Sequence, residues 1–248
     1  MFKLLEKLFS WLLLFMIVAL LAEMAMFSYY FYLGKEQAKI SKPFSFKPSN
    51  PNFTVLIVGD SNGVGTGAGD SNGSIAGKIH RDFPDAEILN LAEDGKKIHE
   101  VLTDLNSVEG VFDLLIIHAG ANDILFMSDL TITISLAEHL LRRAKELSNT
   151  VIFTTSGDIG LTPVLPKLVG WFYSYRTREF LDNFKNISEK EGVFFVDMYR
   201  QTNGKEGSFF EEDKSLFSSD GLHLNEFGYE VWYKQIKNFI PFPLGITN

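Results

Sequence analysis

Past the first forty positions, apolar residues along the chain follow two rhythms. Five short runs, Phe53 to Val58, Ala86 to Leu91, Leu114 to His118, Val151 to Thr155 and Val193 to Val196, are almost continuously apolar, as strands covered on both faces are. Between and after them apolar residues recur at helical spacing: Ile134, Ala137, Leu141, Ala144 and Leu147, then Phe180, Phe184 and Ile187, then Phe227, Val231, Ile236 and Phe239. Strands alternating with helices predict an α/β fold, a three-layer α/β/α sandwich around a five-stranded parallel sheet with right-handed crossovers. Ligands of such sheets bind outside the carboxyl ends of the strands.

The opening of the chain has a different pattern. Between Lys7 and Lys35 the only charged residue is Glu23, and at about 1.5 Å per residue a helix there is long enough for a hydrocarbon core of ~30 Å. Trp11 stands near one end and Tyr29, Tyr30 and Tyr32 near the other, where interfacial aromatics belong. A cleaved leader fits less well, because its best cut, at Glu23-Met24-Ala25, places a carboxylate where a small side chain is needed. The predicted organisation is an anchor helix over 1–40, a linker over 41–52 marked by Pro43, Pro48 and Pro51, and one domain over 53–248. Lys35, Lys39, Lys42 and Lys47 outnumber Lys3 and Lys7, so a positive-inside count leaves the domain in the cytoplasm, although long C-terminal domains translocate regardless of such counts.

Composition narrows the chemistry. The 248 residues carry a formal net charge of −8 and no Lys/Arg-rich stripe, which sets nucleic-acid binding aside. The absence of cysteine excludes disulfides, thiol catalysis and thiolate metal sites. His80, His99 and His139 fall on helical segments without ligand spacing, so no metal site is expected.

Four polar clusters stand where predicted strands end or the last helix begins: Gly59-Asp60-Ser61-Asn62-Gly63, Glu93-Asp94-Gly95, Gly120-Ala121-Asn122-Asp123 and Asp220-Gly221-Leu222-His223. A serine hydroxyl needs a base, a group that orients the base, and donors for the oxyanion that forms. Ser61 is the expected nucleophile, His223 its base and Asp220 the group that orients the base, with the backbone N–H groups of Ser61 and Gly95 and the side-chain amide of Asn122 as the oxyanion hole.

In these four blocks, in this order, the chain resembles the SGNH hydrolases, also called GDSL-type lipases and esterases. Asn62 stands where leucine is common, which bears on substrate preference. The resemblance implies a flavodoxin-like three-layer fold, hydrolysis of small-molecule, lipid or glycan esters through an acyl-serine, and no cofactor. It also implies that anchored members act outside the cytoplasm, which favours an exported domain here despite the lysine count. The same Ser61 and His223 also suit an O-acyltransferase, and a silent anchored binding module is the non-enzymatic alternative.

Other features have simpler readings. Gly69-Asp70-Ser71-Asn72 repeats the nucleophile tetrapeptide but follows glycines, so Asp70 or Ser71 is expected to cap the helix containing Ile75, Ile79 and Phe83. Gly63, Gly65, Gly67 and Gly69 lack the Gly-Lys-Ser/Thr ending of a phosphate loop. His118 is read as a buried strand residue, with a place in the substrate pocket as the sharper reading given its nearness to Asn122. The apolar stretch from Ile159 to Tyr175 is core cover or, through Trp171 and Phe172, the wall of an acyl pocket or a lipid contact.

Overall fold

The computed structural model describes residues 2–199 and 214–241, so the predicted domain boundary at 248 lies outside the described residues. Five strands, β1 (Phe53–Gly59), β2 (Ala86–Asn90), β3 (Leu114–His118), β4 (Val151–Thr154) and β5 (Phe194–Val196), form one sheet in the order β2-β1-β3-β4-β5. Every pairing is parallel, with Val55 beside Leu114 and Gly59 beside His118 where β1 meets β3. The order reverses between β1 and β3, which opens a crevice at their carboxyl ends.

Strand residues alternate between two apolar layers. Leu56, Val58, Leu115, Ile117 and Phe153 join α4 (Ile98–Asn106), α6 (Leu130–Leu147) and α7 (Lys167–Glu191) on one face. Val55, Ile57, Leu114, Ile116 and Ile152 meet α3 (Ile75–Asp82) and α8 (Glu226–Lys237) on the other. Burial on both faces is why the strands read as unbroken apolar runs.

Two local expectations are corrected. The buried stripe of α8 is Tyr229, Trp232, Tyr233 and Ile236, while Phe227 is 71% exposed; the polar hydroxyls and indole hid a stripe with regular i, i+3, i+4, i+7 spacing. α3 is capped by Ser74, whose hydroxyl accepts from the Gly77 N–H at 3.1 Å, and Asp70 instead caps a short 3₁₀ turn over Ser71–Gly73.

Residues 41–52 form no helix and no named strand, with bends at 49, 50 and 52, and part of the segment is docked. Phe46 and Ile88 exchange backbone hydrogen bonds of 2.9 and 2.7 Å, and the Asn90 N–H donates to Ser45 Oγ at 3.0 Å. Phe44 packs on the α8-side core, and the Phe44 and Phe46 rings flank His80 with centroids 5.3 and 4.2 Å away.

Before this segment, α1 (Phe2–Ile40) is one unbroken helix of 39 residues. Among the described residues it is the one helix long and apolar enough to cross a membrane, with a mean hydropathy of 2.3 over its best window. Its last turns touch the domain: Tyr30 packs against the α6-side core, and Gln37 Nε2 donates to Ser219 Oγ at 3.0 Å.

Candidate active site

The site begins with the turn out of β1. Gly59 has φ 145, and a Cβ there would lie 1.9 Å from the His118 carbonyl oxygen, so only glycine makes this turn. Asp60 then caps the four-residue α2 (Ser61–Val64), its Oδ1 accepting from the Asn62 N–H at 2.9 Å. Ser61 thus opens a helix at the crevice between β1 and β3, and N–H groups in a first turn have no partner within their helix.

Ser61 Oγ lies 3.0 Å from His223 Nε2, and His223 Nδ1 lies 2.6 Å from Asp220 Oδ2. With Nδ1–H donating to the carboxylate, Nε2 is left as an acceptor facing the hydroxyl, the tautomer a general base needs. Asp220 is fully buried, and its Oδ1 accepts from Ser218 Oγ at 2.7 Å and from the Leu222 and His223 N–H groups at 3.0 Å. Burial raises its pKa, but the hydrogen bond and charge of His223, with the Ser218 and Leu222 donors, outweigh burial and hold the carboxyl down at about 2. Asp220 is therefore ionised throughout the range in which a histidine can act as base.

Gly95 has φ 81, and a Cβ added to it would meet nothing within 4 Å, so its backbone borders open space. Asn122, in α5 (Ala121–Leu125), donates through Nδ2 to the Lys96 carbonyl at 3.0 Å. A primary amide has two N–H bonds, so this contact ties the loop after β3 to the loop after β2 while one donor remains for a ligand. Asp123 reinforces the tie by accepting from the Ile98 N–H at 3.0 Å, and Asp94 accepts from Thr66 Oγ1 at 2.5 Å. Both carboxylates hold loops, as their turn-forming positions suggest.

The four proposed pocket residues separate. Asn62 lines a hollow of about 310 Å³, open solvent included, together with Ser156, Asp158, Phe217, Leu222 and Trp232. His118 does not reach it: the side chain is fully buried, edge-on to Trp232 at 5.7 Å, and burial holds its pKa down at about 3. The end of β3 turns this ring toward α8, and neither of its nitrogens has a hydrogen-bond partner among the described residues. Trp171 is 72% exposed on the first turns of α7, and neither it nor Phe172 borders the hollow.

Gly67 is a positioning residue that the sequence did not single out. It has φ 93, and a Cβ there would lie 2.4 Å from the Leu224 carbonyl oxygen and 2.9 Å from His223 Cβ. The glycine-rich loop is the seat of the histidine loop. Gly67→Ala is expected to lower kcat by about 10²-fold through displaced imidazole geometry, with a smaller change in KM; steady-state kinetics on a soluble ester measures both.

Asp60 is also fully buried, with no hydrogen-bond partner for Oδ2, and burial pushes its pKa up to about 7 against the weaker pull of the Asn62 N–H. The unfolded carboxyl ionises near its ordinary 3.8 while the folded one keeps its proton to about 7, so stability falls as the pH rises through that window. Urea unfolding is expected to find the chain less stable at pH 8 than at pH 5 by about 2 kcal/mol, with the gap narrowing in Asp60→Asn.

At the carboxyl ends of β1 and β3 the parallel sheet carries a serine hydroxyl, an imidazole and a buried carboxylate joined in one chain of contacts. The sequence pattern of the GDSL-like lipase/acylhydrolase family matches residues 57–231, and the chain belongs to that family of ester-hydrolysing enzymes. Similar solved folds include a lipolytic G-D-S-L family protein from Veillonella parvula, at 17% identity and TM-score 0.60, covering 75% of this chain and 96% of that one. A variant of an acetyl-xylooligosaccharide esterase from Geobacillus aligns at 16% identity and TM-score 0.58, covering 80% and 99%. A psychrotrophic esterase from Pseudoalteromonas aligns at 18% identity and TM-score 0.55, covering 75% and 96%. Comparison with curated protein sequences finds no match.

Proposed function

We propose that the chain is a membrane-anchored carboxylic ester hydrolase that works through an acyl-serine intermediate on Ser61. The observation that carries this reading is the contact chain from Ser61 Oγ through His223 to the ionised Asp220. Ser61 Oγ attacks the ester carbonyl as Nε2 of His223 takes its proton, and the imidazolium formed is stabilised by Asp220. The N–H groups of Ser61 and Gly95 and the free amide donor of Asn122 receive the oxyanion. Collapse expels the alkoxide, which takes the proton from Nε2. Water, deprotonated by the same nitrogen, then releases the acid and regenerates Ser61.

α1 supplies the anchor in this reading, supported by its length, its apolar composition and the aromatic residues at both ends of the span. The domain over 53–248 stands on the exported side of the membrane, the side the family resemblance favours. Labelling of the full chain by a fluorophosphonate, lost in Ser61→Ala and in His223→Ala, tests the nucleophile. p-Nitrophenyl esters of graded chain length test hydrolysis, and an active-site label without any turnover would leave only a binding role.

A further inference from the structure

The end of the apolar helix and the start of the catalytic relay are one place. Tyr30, Gly34 and Gln37 stand at i, i+4 and i+7 on α1, and each meets the domain: Tyr30, partly buried, packs against the α6-side core, Gln37 donates to Ser219, and Gly34 lies beside Asp220. A Cβ on Gly34 would lie 3.4 Å from Asp220 Oδ2, the oxygen that holds His223. Gly34 is also the last residue before Lys35, where the uncharged stretch ends. No slack tether therefore separates the bilayer surface from the catalytic loop.

The rim around that loop is apolar. Phe126 and Met127, at the end of α5, are each 53% exposed; Trp171 and Tyr175, in the first turns of α7, and Phe227, in the first turn of α8, are exposed as well. Phe126 and Met127 follow β3, Trp171 and Tyr175 follow β4, and Phe227 follows the histidine loop, as Ser61 follows β1. Lys39 pairs with Glu36 at 2.5 Å and Lys47 with Glu87 at 2.8 Å, which leaves Lys35 and Lys42 as positive charge beside the span, the sign that anionic headgroups attract.

From this juxtaposition we infer that the rim of Phe126, Met127, Trp171, Tyr175 and Phe227 docks on the bilayer that α1 crosses, and that the substrate is an acyl ester of a lipid in that leaflet. The inference rests on the anchored serine hydrolase reading above. Apolar faces settle ~5–10 Å into the boundary between headgroups and acyl chains, the depth at which lipid ester carbonyls lie. The hollow beside Asn62 encloses only about 30 Å³, far less than a long acyl chain fills. It receives the groups next to the scissile bond while a long chain stays in the membrane.

The test uses the full chain reconstituted into vesicles of phosphatidylcholine and phosphatidylglycerol in equal amounts, with fatty acid release and p-nitrophenyl acetate hydrolysis measured side by side. Phe126→Ser/Phe227→Ser is expected to lower fatty acid release at least about tenfold through lost interfacial burial, while p-nitrophenyl acetate turnover and fluorophosphonate labelling stay at the wild-type level. Unchanged lipid hydrolysis in that variant overturns the inference. So does a wild-type chain that is labelled and hydrolyses p-nitrophenyl acetate but releases no fatty acid. Absence of labelling at Ser61 instead brings down the hydrolase reading, and the inference with it.

Discussion

Ser61→Ala is expected to reduce ester turnover by about 10⁵-fold or more while the chain still folds, because it removes the atom that the proposed mechanism bonds to the acyl group. His223→Ala should cost about as much. The double variant should cost little beyond either single one, since hydroxyl and imidazole act as a unit across the 3.0 Å contact. The residual rate, ~10³ to 10⁴ above water, is then what the N–H donors and substrate binding supply. Single-turnover and steady-state rates on one p-nitrophenyl ester measure all three variants. Additive losses in the double variant would contradict a shared step.

Asp220→Asn is expected to lower kcat by about 10⁴-fold. The carboxylate accepts the Nδ1 proton at 2.6 Å, and an amide nitrogen in its place would donate to Nδ1 and drive the proton to Nε2, the nitrogen that must accept from Ser61. The loss comes from the wrong tautomer, so the structure should survive at neutral pH. The two proteins should differ on acidification: a carboxyl depressed to about 2 stabilises the fold above its ordinary 3.8, and that contribution disappears as the pH falls through about 2. Acid unfolding followed by circular dichroism compares them, with Asp220→Asn lacking this component of the acid transition.

The sheet was legible because its strands are buried on both faces, so that each stood out as a block of apolar residues, the first three with a polar cluster at the end. The relay was legible for a related reason: the turns after β1 and β3 and the loop before α8 carry residue types that serve both backbone geometry and chemistry, such as Gly59 before Ser61. Contacts between distant elements were not legible. His118 lies four residues from Asn122, and the choice between site and core was made by the direction its strand leaves that side chain. The stripe of α8 was misread because aromatic residues occupy more than one of its faces, and only the sheet decides which is buried. Gly67 was read only as part of a glycine-rich run without a phosphate-loop ending, and the 2.9 Å that a Cβ would leave to His223 gives it a role. Tyr30, Gly34 and Gln37 had helical spacing in plain view, but two of the three are not apolar, so no hydrophobic pattern marked the face that meets the catalytic loop.

The bridge between Phe46 and Ile88 bears on where the foldable unit starts. β2 is the outermost strand on its side of the sheet, and unpaired strand edges recruit other chains. A soluble fragment cut at residue 53 would strip that cover and leave the Phe44 and Phe46 sites on His80 empty, inviting self-association through β2. A fragment beginning at residue 41 keeps the edge closed and should stay monodisperse where the shorter one precipitates.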